Sequence, residues 1–298
     1  MKTETLSAIH FKIGEKIISD SGNVYRIVRF INIGKNGSVF LVQCTDGSYY
    51  ALKVQYNLLE KRLKRFQREL NFLKQQESQL LLSYRDDGKI ERNGLSYPFV
   101  VIPYIPFTLE EYVNTMQISY EKKLDFACQL LMALNYLNEQ DVVHRDIKPQ
   151  NILTDGKKVV LADFGLIKHI SDHSVSSERA ELLNASASMP RHYRTPELVA
   201  YANGKTSRFY KKSDCFQMGL VLAWLFTGVN PLKSSEDKLS PIELGVIPWI
   251  KEPSGYIIRN TIMSMLKYDY HNRIDPSEAL NKFIQVNEGI KGLTREVA

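Results

Sequence analysis

Four side chains in a short stretch of the sequence could together transfer a phosphoryl group. They lie in the octapeptide His144–Asn151 and in the Asp-Phe-Gly tripeptide that starts at Asp163. Asp146 can accept the proton of an attacking hydroxyl, and Lys148 can steady the phosphoryl group during transfer. Asn151 and Asp163 can hold the metal ions that neutralise a triphosphate. A tripeptide such as His-Arg-Asp arises often by chance, but the whole set at this spacing does not, so the stretch predicts phosphoryl transfer.

Two kinds of secondary structure must position these residues. Turn signals such as Asp20-Ser21-Gly22 punctuate the first third of the chain and predict hairpins. From Ser119 onward the apolar periodicity predicts helices. The sequence therefore predicts an α+β fold with a β-rich N-terminal lobe, a mostly helical C-terminal lobe and a cleft at about residues 103–106. The predicted strands are 16–18, 24–28, 48–55 and 158–162, the predicted hairpins turn at 32–39 and 92–94, and the predicted helices are 59–76, 119–140, 213–227, 256–268 and 276–286.

One carboxylate lies on the apolar face of the helix predicted at residues 59–76. Apolar residues recur there at spacings of three and four positions and define this face: Leu63, Phe66, Leu70 and Leu73. Glu69 lies on the same side. Because a buried carboxylate is costly without a cationic partner, we expect Glu69 to pair with Lys53, which lies on the strand before the helix.

The composition is that of a globular intracellular protein. Its 298 residues suffice for two lobes with their own cores, and 44% hydrophobic and 24% charged residues are ordinary proportions. The cysteines show no metal-ligand spacing, which favours a reduced compartment and predicts a cytoplasmic protein. The longest apolar run, residues 218–229, is too short to cross a bilayer. It predicts a buried helix, and no membrane segment is expected.

The net charge of +6 comes in part from a basic run at residues 61–68. One interpretation is a nucleic-acid-binding surface. The other is a solvated helix face that attracts phosphates or acidic peptides. The basic residues alternate with core-facing apolar ones, which favours the second interpretation, so no nucleic-acid partner is expected. No feature of the sequence indicates an oligomeric state.

The motifs, in their order along the chain, resemble those of the eukaryotic-like (Hanks-type) protein kinases, most closely the Ser/Thr kinases. Thr195-Pro196-Glu197 resembles the Ala-Pro-Glu that ends their activation segment. The resemblance implies that Arg273 pairs with Glu197 and that Asp214, in an Asp-x-x-x-x-Gly sequence, braces the catalytic-loop backbone. It also implies a two-lobed kinase fold. The N-lobe would span residues 1–104, with an N-terminal extension over about 1–22, and the C-lobe would span residues 105–298.

The same resemblance implies an ATP site with Mg²⁺, or Mn²⁺, held by Asn151 and Asp163. Residues 32–39 resemble the glycine-rich loop, with Asn32 in place of the family's first glycine. Because Asn tolerates left-handed backbone angles, we expect only a modest loss of loop freedom. Lys53 would contact the phosphates, and Ile105 would donate its N–H to adenine. The ATP-binding residues implied are Ile31, Asn32, Gly34, Gly37, Val39, Ala51, Lys53, Glu69, Ile102, Pro103, Ile105 and Leu153.

Phosphorylation of the activation segment is the regulation that the resemblance implies. Arg145 lies where family members carry an arginine that binds a phosphate on this segment, and Lys168 lies where a second phosphate ligand is frequent. We expect the protein to phosphorylate its own segment and to bind the phosphate at Arg145, Lys168 and the basic helix around residues 62–68. The candidate acceptors are Ser171, Ser174, Ser176 and Ser177.

Two positions favour different acceptor residues in the substrate. Lys148, two residues after Asp146, follows the Ser/Thr-kinase pattern, whereas Pro190 is more like tyrosine kinases. Lys148 contacts the reacting phosphate and is weighted more heavily, so the expected catalytic pair is Asp146 and Lys148 acting on Ser/Thr hydroxyls of protein substrates. The alternatives are a pseudokinase that binds partners without catalysis, a tyrosine or dual-specificity kinase, and a small-molecule phosphotransferase.

Overall fold

The structure is a computed structural model that describes residues 10–34, 37–170, 192–206, 211–235, 237 and 239–297. The chain divides into two units, Met1–Pro106 and Phe107–Ala298. The division follows Pro106, whereas the sequence-based boundary follows Tyr104.

The N-terminal unit is built on an antiparallel sheet. Its strands are β1 (Lys16–Ile18), β2 (Val24–Ile33), β3 (Gly37–Cys44), β4 (Tyr49–Gln55), β5 (Asp86–Arg92) and β6 (Leu95–Pro103). In the described residues their order is β1-β2-β3-β4-β6-β5. Strand β1 was predicted at residues 16–18, within the expected N-terminal extension over about residues 1–22, and it is part of the sheet. Ile17 of β1 lies opposite Tyr25 of β2 and is buried, because its apolar side chain is more stable in the core than in water.

Alternating apolar residues give the sheet one buried face. Phe40 and Val42 of β3 share this face with Leu52 and Val54 of β4, since successive side chains of a strand point to opposite faces. Helix α1 (Glu60–Gln75) follows β4 and is one residue shorter at each end than predicted. The buried residues of α1 are Phe66, Glu69, Leu70 and Leu73.

A buried carboxylate ties the first hairpin to β5. Asp86 Oδ2 accepts hydrogen bonds from Ser21 Oγ at 2.8 Å and from Asn23 Nδ2 at 2.9 Å. The Tyr25 hydroxyl donates to the same oxygen at 2.9 Å. Burial raises the pKa of Asp86, but hydrogen bonds from Ser19 and these three residues outweigh it and lower the pKa to about 2. The hairpin is therefore bound by the ionised form of Asp86.

The C-terminal unit is mostly helical, as predicted. Its helices in the described residues are α2 (Leu109–Thr115), α3 (Tyr120–Glu139), α4 (Pro196–Ala202), α5 (Lys212–Thr227), α6 (Gly255–Met265) and α7 (Pro276–Val297). Helix α3 packs against both α5 and α7. Helix α7 continues past its predicted end at residue 286. Across the described ranges, no helix combines the length and the apolar character that a membrane span requires.

Short strands position the segments that carry the catalytic residues. They are β7 (Phe107–Thr108), β8 (Val142–Val143), β9 (Ile152–Thr154), β10 (Val159–Leu161) and β11 (Lys168–His169). Strand β9 pairs with β7 and β10, and β8 pairs with β11. The octapeptide His144–Asn151 therefore starts at the end of one paired strand and ends at the start of another. Strand β10 leads through Ala162 into Asp163.

Helix α5 lies inside the C-terminal unit, as its long apolar run predicts. Nearly all of its side chains are buried, which is typical of a helix that is apolar on all sides. Asp214 and Gln217 are also buried in it. Buried polar groups are normally hydrogen-bonded, so the partners of these two residues bear on what they do.

Candidate active site

One face of the N-terminal sheet carries several of the predicted nucleotide-binding residues. Val39 lies opposite Lys53, and Ala51 lies opposite Ile102. Residues opposite each other in an antiparallel pair point to the same face, and Ala51 and Lys53 are two positions apart on β4. Asn32 joins this face through its pairing with Val39. The face is the one opposite to the sheet core.

The predicted ion pair between β4 and α1 is present. Lys53 Nζ donates to Glu69 Oε1 at 2.7 Å and to Glu69 Oε2 at 2.8 Å. Glu69 is buried on the apolar face of α1, where an ionised carboxylate needs a cation close by. The pair fixes the lysine ammonium on the same sheet face as Val39 and Ala51.

The two glycines of the predicted phosphate loop have different structural roles. A Cβ on Gly37 would lie 2.5 Å from Val54 O, so the close approach of β3 to β4 requires glycine there. A Cβ on Gly34 would meet only Gly37 O, at 3.8 Å. Packing therefore explains Gly37 but not Gly34. Residues 35 and 36 of this loop lie outside the described residues.

The residues before this loop have ordinary strand conformations. Ile31 lies in β2 at an irregularity of the pairing with β3. Asn32 is in β2 as well, and its Oδ1 accepts a hydrogen bond from the Ile33 N–H at 2.7 Å. Its φ is not positive, so Asn32 does not use the left-handed conformation that asparagine tolerates. Pairing with β3 keeps this position extended.

The predicted adenine-binding residues lie at the end of β6 and on β9. Ile102 is buried, and Pro103 is the last residue of β6. Ile105 follows the strand. No group in the described part of the chain accepts a hydrogen bond from the Ile105 N–H. Leu153 lies in the C-terminal unit, on β9, and is half-buried.

The octapeptide His144–Asn151, here called the catalytic loop, brings three predicted residues together. Lys148 Nζ donates to Asp146 Oδ2 at 2.7 Å. Asn151 Nδ2 donates to the same oxygen and to the Asp146 backbone carbonyl, both at 2.9 Å. Asp146 Oδ1 is buried and has no hydrogen-bond partner among the described residues. Burial raises the pKa of Asp146 to about 6, with Lys148 opposing the shift and Asp163 adding to it.

Asp163 and Asn151 lie on segments that are bonded to each other. The Ala162 N–H donates to Asn151 O at 2.8 Å, and His144 Nε2 lies 3.0 Å from Ala162 O. Because a carbonyl only accepts, Nε2 carries the proton, and Nδ1 accepts from the Asp146 N–H at 3.3 Å. Burial lowers the pKa of His144, which keeps the ring neutral.

The two predicted metal ligands supply oxygen atoms of the type that Mg²⁺ and Mn²⁺ prefer. Because the amide nitrogen of Asn151 is bonded to Asp146, its Oδ1 is the atom that remains for a ligand. Asp163 supplies a carboxylate on an exposed residue. The donor set therefore fits a hard divalent cation that takes its other ligands from phosphate and water.

Asp214 braces the start of the catalytic loop, as predicted. Its carboxylate accepts hydrogen bonds from the His144 N–H at 2.5 Å and from the Arg145 N–H at 2.9 Å. Burial raises the pKa of Asp214 to about 6, while these bonds oppose the shift. Arg145 has a φ of 70°, and a left-handed residue other than glycine costs about 1–3 kcal/mol. The Asp214 bonds stabilise this conformation.

A buried ion pair links the end of the predicted activation segment to the last part of the chain. Arg273 Nη2 donates to Glu197 Oε1 at 2.7 Å, and both side chains are almost fully buried. Ser213 Oγ donates to Glu197 Oε2 at 3.1 Å. Thr195 caps α4 by accepting a hydrogen bond from the Leu198 N–H. The pairing that the resemblance implied is therefore present.

Most of the chain matches one protein family. Residues 25–284 match the family described as protein kinase domain. The chain belongs to the protein kinase family. The kinase is 30% identical over 279 residues to the serine/threonine-protein kinase nekl-2 of Caenorhabditis elegans. The matched region covers 86% of this chain and 73% of nekl-2. Its fold is accordingly the two-lobed kinase fold, with a β-sheet N-lobe and a helical C-lobe.

Bacterial proteins are similar to the kinase over a smaller share of their length. The probable serine/threonine-protein kinase PknB of Lactococcus lactis is 26% identical over 226 residues, 72% of this chain and 33% of PknB. The serine/threonine-protein kinase PrkC of Bacillus subtilis is 29% identical over 226 residues, 74% of this chain and 32% of PrkC. The chain thus spans about a third of each of these two relatives.

The predicted regulatory residues are only partly within the described kinase. Arg145 is buried, and its Nε donates to Leu166 O at 2.5 Å. Lys168 is buried in β11. Pro190 and the four candidate serines, Ser171, Ser174, Ser176 and Ser177, lie outside the described residues. Sequence reasoning missed Gln217, whose signal was an amide at the start of the apolar part of α5.

Proposed function

We propose that this kinase transfers the γ-phosphoryl group of ATP to Ser/Thr hydroxyls of protein substrates. The observation that carries the proposal is the asymmetry of the Asp146 carboxylate. Oδ2 is held by Lys148 and Asn151, whereas the buried Oδ1 has no partner in the described part of the chain. A buried acceptor without a partner calls for a donor, and a substrate hydroxyl is the donor that the proposed chemistry brings.

In this proposal, Asp146 orients the attacking hydroxyl and takes up its proton. Two donors to Oδ2 fix the carboxylate plane, so Oδ1 keeps a constant direction. Positioning of this kind lowers the barrier because the hydroxyl does not have to search for its attack geometry. Lys148 Nζ, bonded to the same carboxylate, is available to stabilise negative charge on the transferred group.

The nucleotide would be bound mainly by residues of the N-lobe. Lys53, fixed by Glu69, supplies a cation for the phosphates, and Gly34 lets the backbone approach them without a side chain. Ile105 has an N–H available for adenine, and Pro103 keeps its carbonyl. The apolar surfaces proposed for the adenine ring are those of Ile31, Val39, Ala51, Ile102 and Leu153.

We propose that Asn151 and Asp163 hold Mg²⁺, with Mn²⁺ as an alternative. The metal, when bound, neutralises the phosphate charge and orients the phosphates. The role of this chain is to present one amide oxygen and one carboxylate on two segments that the Ala162 N–H bond joins. We also propose a cytoplasmic location, since Cys44, Cys128 and Cys215 are free thiols.

Serine and threonine are the proposed acceptors because Lys148 occupies the position that Ser/Thr kinases use. The names of nekl-2, PknB and PrkC agree with this choice. A pseudokinase is not favoured, since Lys53, Asp146 and Asn151 are all present in bonded arrangements suited to their roles.

Autophosphorylation of the activation segment remains part of the proposal. A phosphate on Ser171, Ser174, Ser176 or Ser177 would be bound by Arg145 and Lys168. Mass spectrometry after incubation with Mg-ATP tests this directly. We expect phosphate on at least one of these serines in the wild type and none in Asp146→Asn.

Transfer of radiolabelled γ-phosphate tests the function as a whole. The wild type should label itself and a generic protein substrate, and phosphoamino acid analysis should return phosphoserine and phosphothreonine. Asp146→Asn should lower the rate by about 10²–10⁴-fold, and Asp163→Asn should abolish detectable labelling. Labelling that persists in both variants, or phosphotyrosine as the main product, would refute the assignment.

A further inference from the structure

The buried Gln217 side chain is bonded to the catalytic loop and has no assigned role in phosphoryl transfer. Gln217 lies on α5 three residues after Asp214, so both side chains lie on the same side of the helix. Gln217 is only 1% exposed. Nothing in the packing of an apolar helix calls for an amide at this position, so its role has to come from its hydrogen bonds.

Gln217 bonds to the backbone on both sides of Asp146. Its Oε1 accepts a hydrogen bond from the Ile147 N–H at 2.9 Å. Its Nε2 donates to Arg145 O at 3.2 Å and to Tyr193 O at 2.8 Å. Residues 145 and 147 directly precede and follow the catalytic aspartate, so one side chain holds both neighbouring peptide units.

The chemistry of these partners requires an amide. The Ile147 N–H needs an acceptor, and two carbonyls need donors, and a carboxamide is a side chain that supplies both at one point. The partners also fix which end of the amide is oxygen, because a carbonyl cannot donate. A carboxylate would keep the acceptor and lose the donors, and a methionine of similar length would lose all three bonds.

The bonds complete the support of a loop that has little regular structure of its own. Asp214 holds the N–H groups of His144 and Arg145, and Gln217 holds the Arg145 carbonyl. Arg145 is left-handed, a conformation that a non-glycine residue keeps only when its surroundings impose it. With both its N–H and its C=O bonded to α5, Arg145 is restrained on either side of its Cα.

We propose that Gln217 is a positioning residue for phosphoryl transfer. It holds the peptide units that flank Asp146, and through them it sets the direction of the unpartnered Asp146 Oδ1. Its bond to Tyr193 holds the segment before α4 to the same amide. The inference rests on the phosphoryl transfer proposed for Asp146, and it adds a residue that does not itself contact substrate.

Gln217→Met is the variant that tests this role. It removes the three hydrogen bonds at nearly constant volume. A loss of geometry at the reacting group costs up to about 100-fold in rate, so we expect kcat to fall by about 10- to 100-fold. The KM for ATP should change by less than about threefold, because the Gln217 hydrogen bonds in the described residues go to Arg145, Ile147 and Tyr193, which are not proposed to bind the nucleotide. Gln217→Glu, which keeps the acceptor for Ile147, should have an intermediate kcat.

Cys215→Ala is the matched control. It also alters a fully buried side chain of α5, but Cys215 Sγ bonds to Ile274 O and not to the catalytic loop. After circular dichroism has shown the variants to be folded, initial rates are measured over a range of ATP concentrations, which gives both kcat and the KM for ATP. If Gln217→Met does not fold, Gln217→Glu decides the question.

Each result separates the inference from the function on which it rests. An inactive wild type would overturn the proposed function and the inference together. An active wild type, with a folded Gln217 variant whose kcat is within twofold of that of Cys215→Ala, would overturn the inference alone. A variant that loses stability but keeps kcat would show that Gln217 only supports the fold.

Discussion

Removing Arg273 from its ion pair with Glu197 should lower the stability more than neutralising Glu197. Arg273 Nη2 lies 2.7 Å from Glu197 Oε1, and neither side chain has appreciable contact with solvent. Arg273 also donates to the backbone carbonyls of Lys267 at 3.0 Å and Tyr268 at 3.2 Å, and its guanidinium lies over the Phe216 ring. Within the described residues, the other hydrogen bond to the Glu197 carboxylate comes from Ser213 Oγ.

Arg273→Met should therefore cost more than Glu197→Gln. The first variant leaves a buried carboxylate without its cation, a change that costs about 3–5 kcal/mol. The second leaves an arginine that is still bonded to backbone carbonyls, and a cost of about 1–2 kcal/mol is expected for the weakened bond. The double variant leaves no unpaired buried charge, so its cost should be smaller than that of Arg273→Met alone.

Urea unfolding followed by tryptophan fluorescence measures the change in the free energy of unfolding of the C-lobe, which contains the ion pair. The chain has two tryptophans, Trp224 and Trp249, and both belong to the C-lobe. Lys291→Met is the control, because it breaks the more exposed Lys291–Asp125 pair and should cost less than about 1 kcal/mol. The reasoning fails if Arg273→Met costs no more than Lys291→Met, or if the two single costs simply add in the double variant.

Other predictions concern the N-lobe. Asp86→Asn should lower the free energy of unfolding by about 2 kcal/mol at pH 7, from a folded pKa of about 2 against 3.8. The contribution of Asp86 to the free energy of unfolding is complete above the pKa of the unfolded state and is lost as the pH falls through the pKa of the folded state. The difference in stability between wild type and Asp86→Asn should therefore shrink between about pH 4 and 2. A difference that stays constant over this range would contradict the assignment. Gly37→Ala should lower stability by about 1–3 kcal/mol in thermal unfolding, because its Cβ would lie 2.5 Å from Val54 O. Gly34→Ala should leave the Tm unchanged and raise the KM for ATP several-fold, and equal Tm shifts in the two glycine variants would show that packing does not distinguish them.

The parts of the structure that could be predicted depend on local patterns. The periodicity of α1 placed Glu69 on a buried face, and the cost of burying a carboxylate predicted its bond to Lys53. Helix α2 was missed, although its Thr108–Glu111 capping box is a local signal for a helix start. Its seven residues are too few for apolar periodicity to be recognised.

Other features could not be predicted because their causes lie far away in the sequence. The two-residue strands β8 and β11 form by pairing with each other, although the catalytic loop and the Asp-Phe-Gly tripeptide separate them in sequence. The left-handed conformation of Arg145 is held by hydrogen bonds with Asp214 and Gln217, about 70 residues away, and it opposes the preference of arginine. Asp163 is left-handed as well, in a residue type that tolerates this conformation better. No pattern within a few residues of either position carries that information.

The first turns of α5 explain how irregular backbone can be held in fixed positions inside the C-lobe. The catalytic loop has few regular backbone partners, so its N–H and C=O groups need bonds from side chains. Asp214 and Gln217 supply these bonds, and Ser213 supplies one to Glu197 at the start of α4. The rest of the helix, from Met218 to Phe226, is apolar and mostly buried, and this anchors the polar end. The polar first turns of this rigid helix therefore hold the backbone around Asp146 in a fixed position. This is why substitutions at Asp214 or Gln217 should change kcat although neither side chain contacts the substrate, whereas Cys215→Ala in the same helix should not.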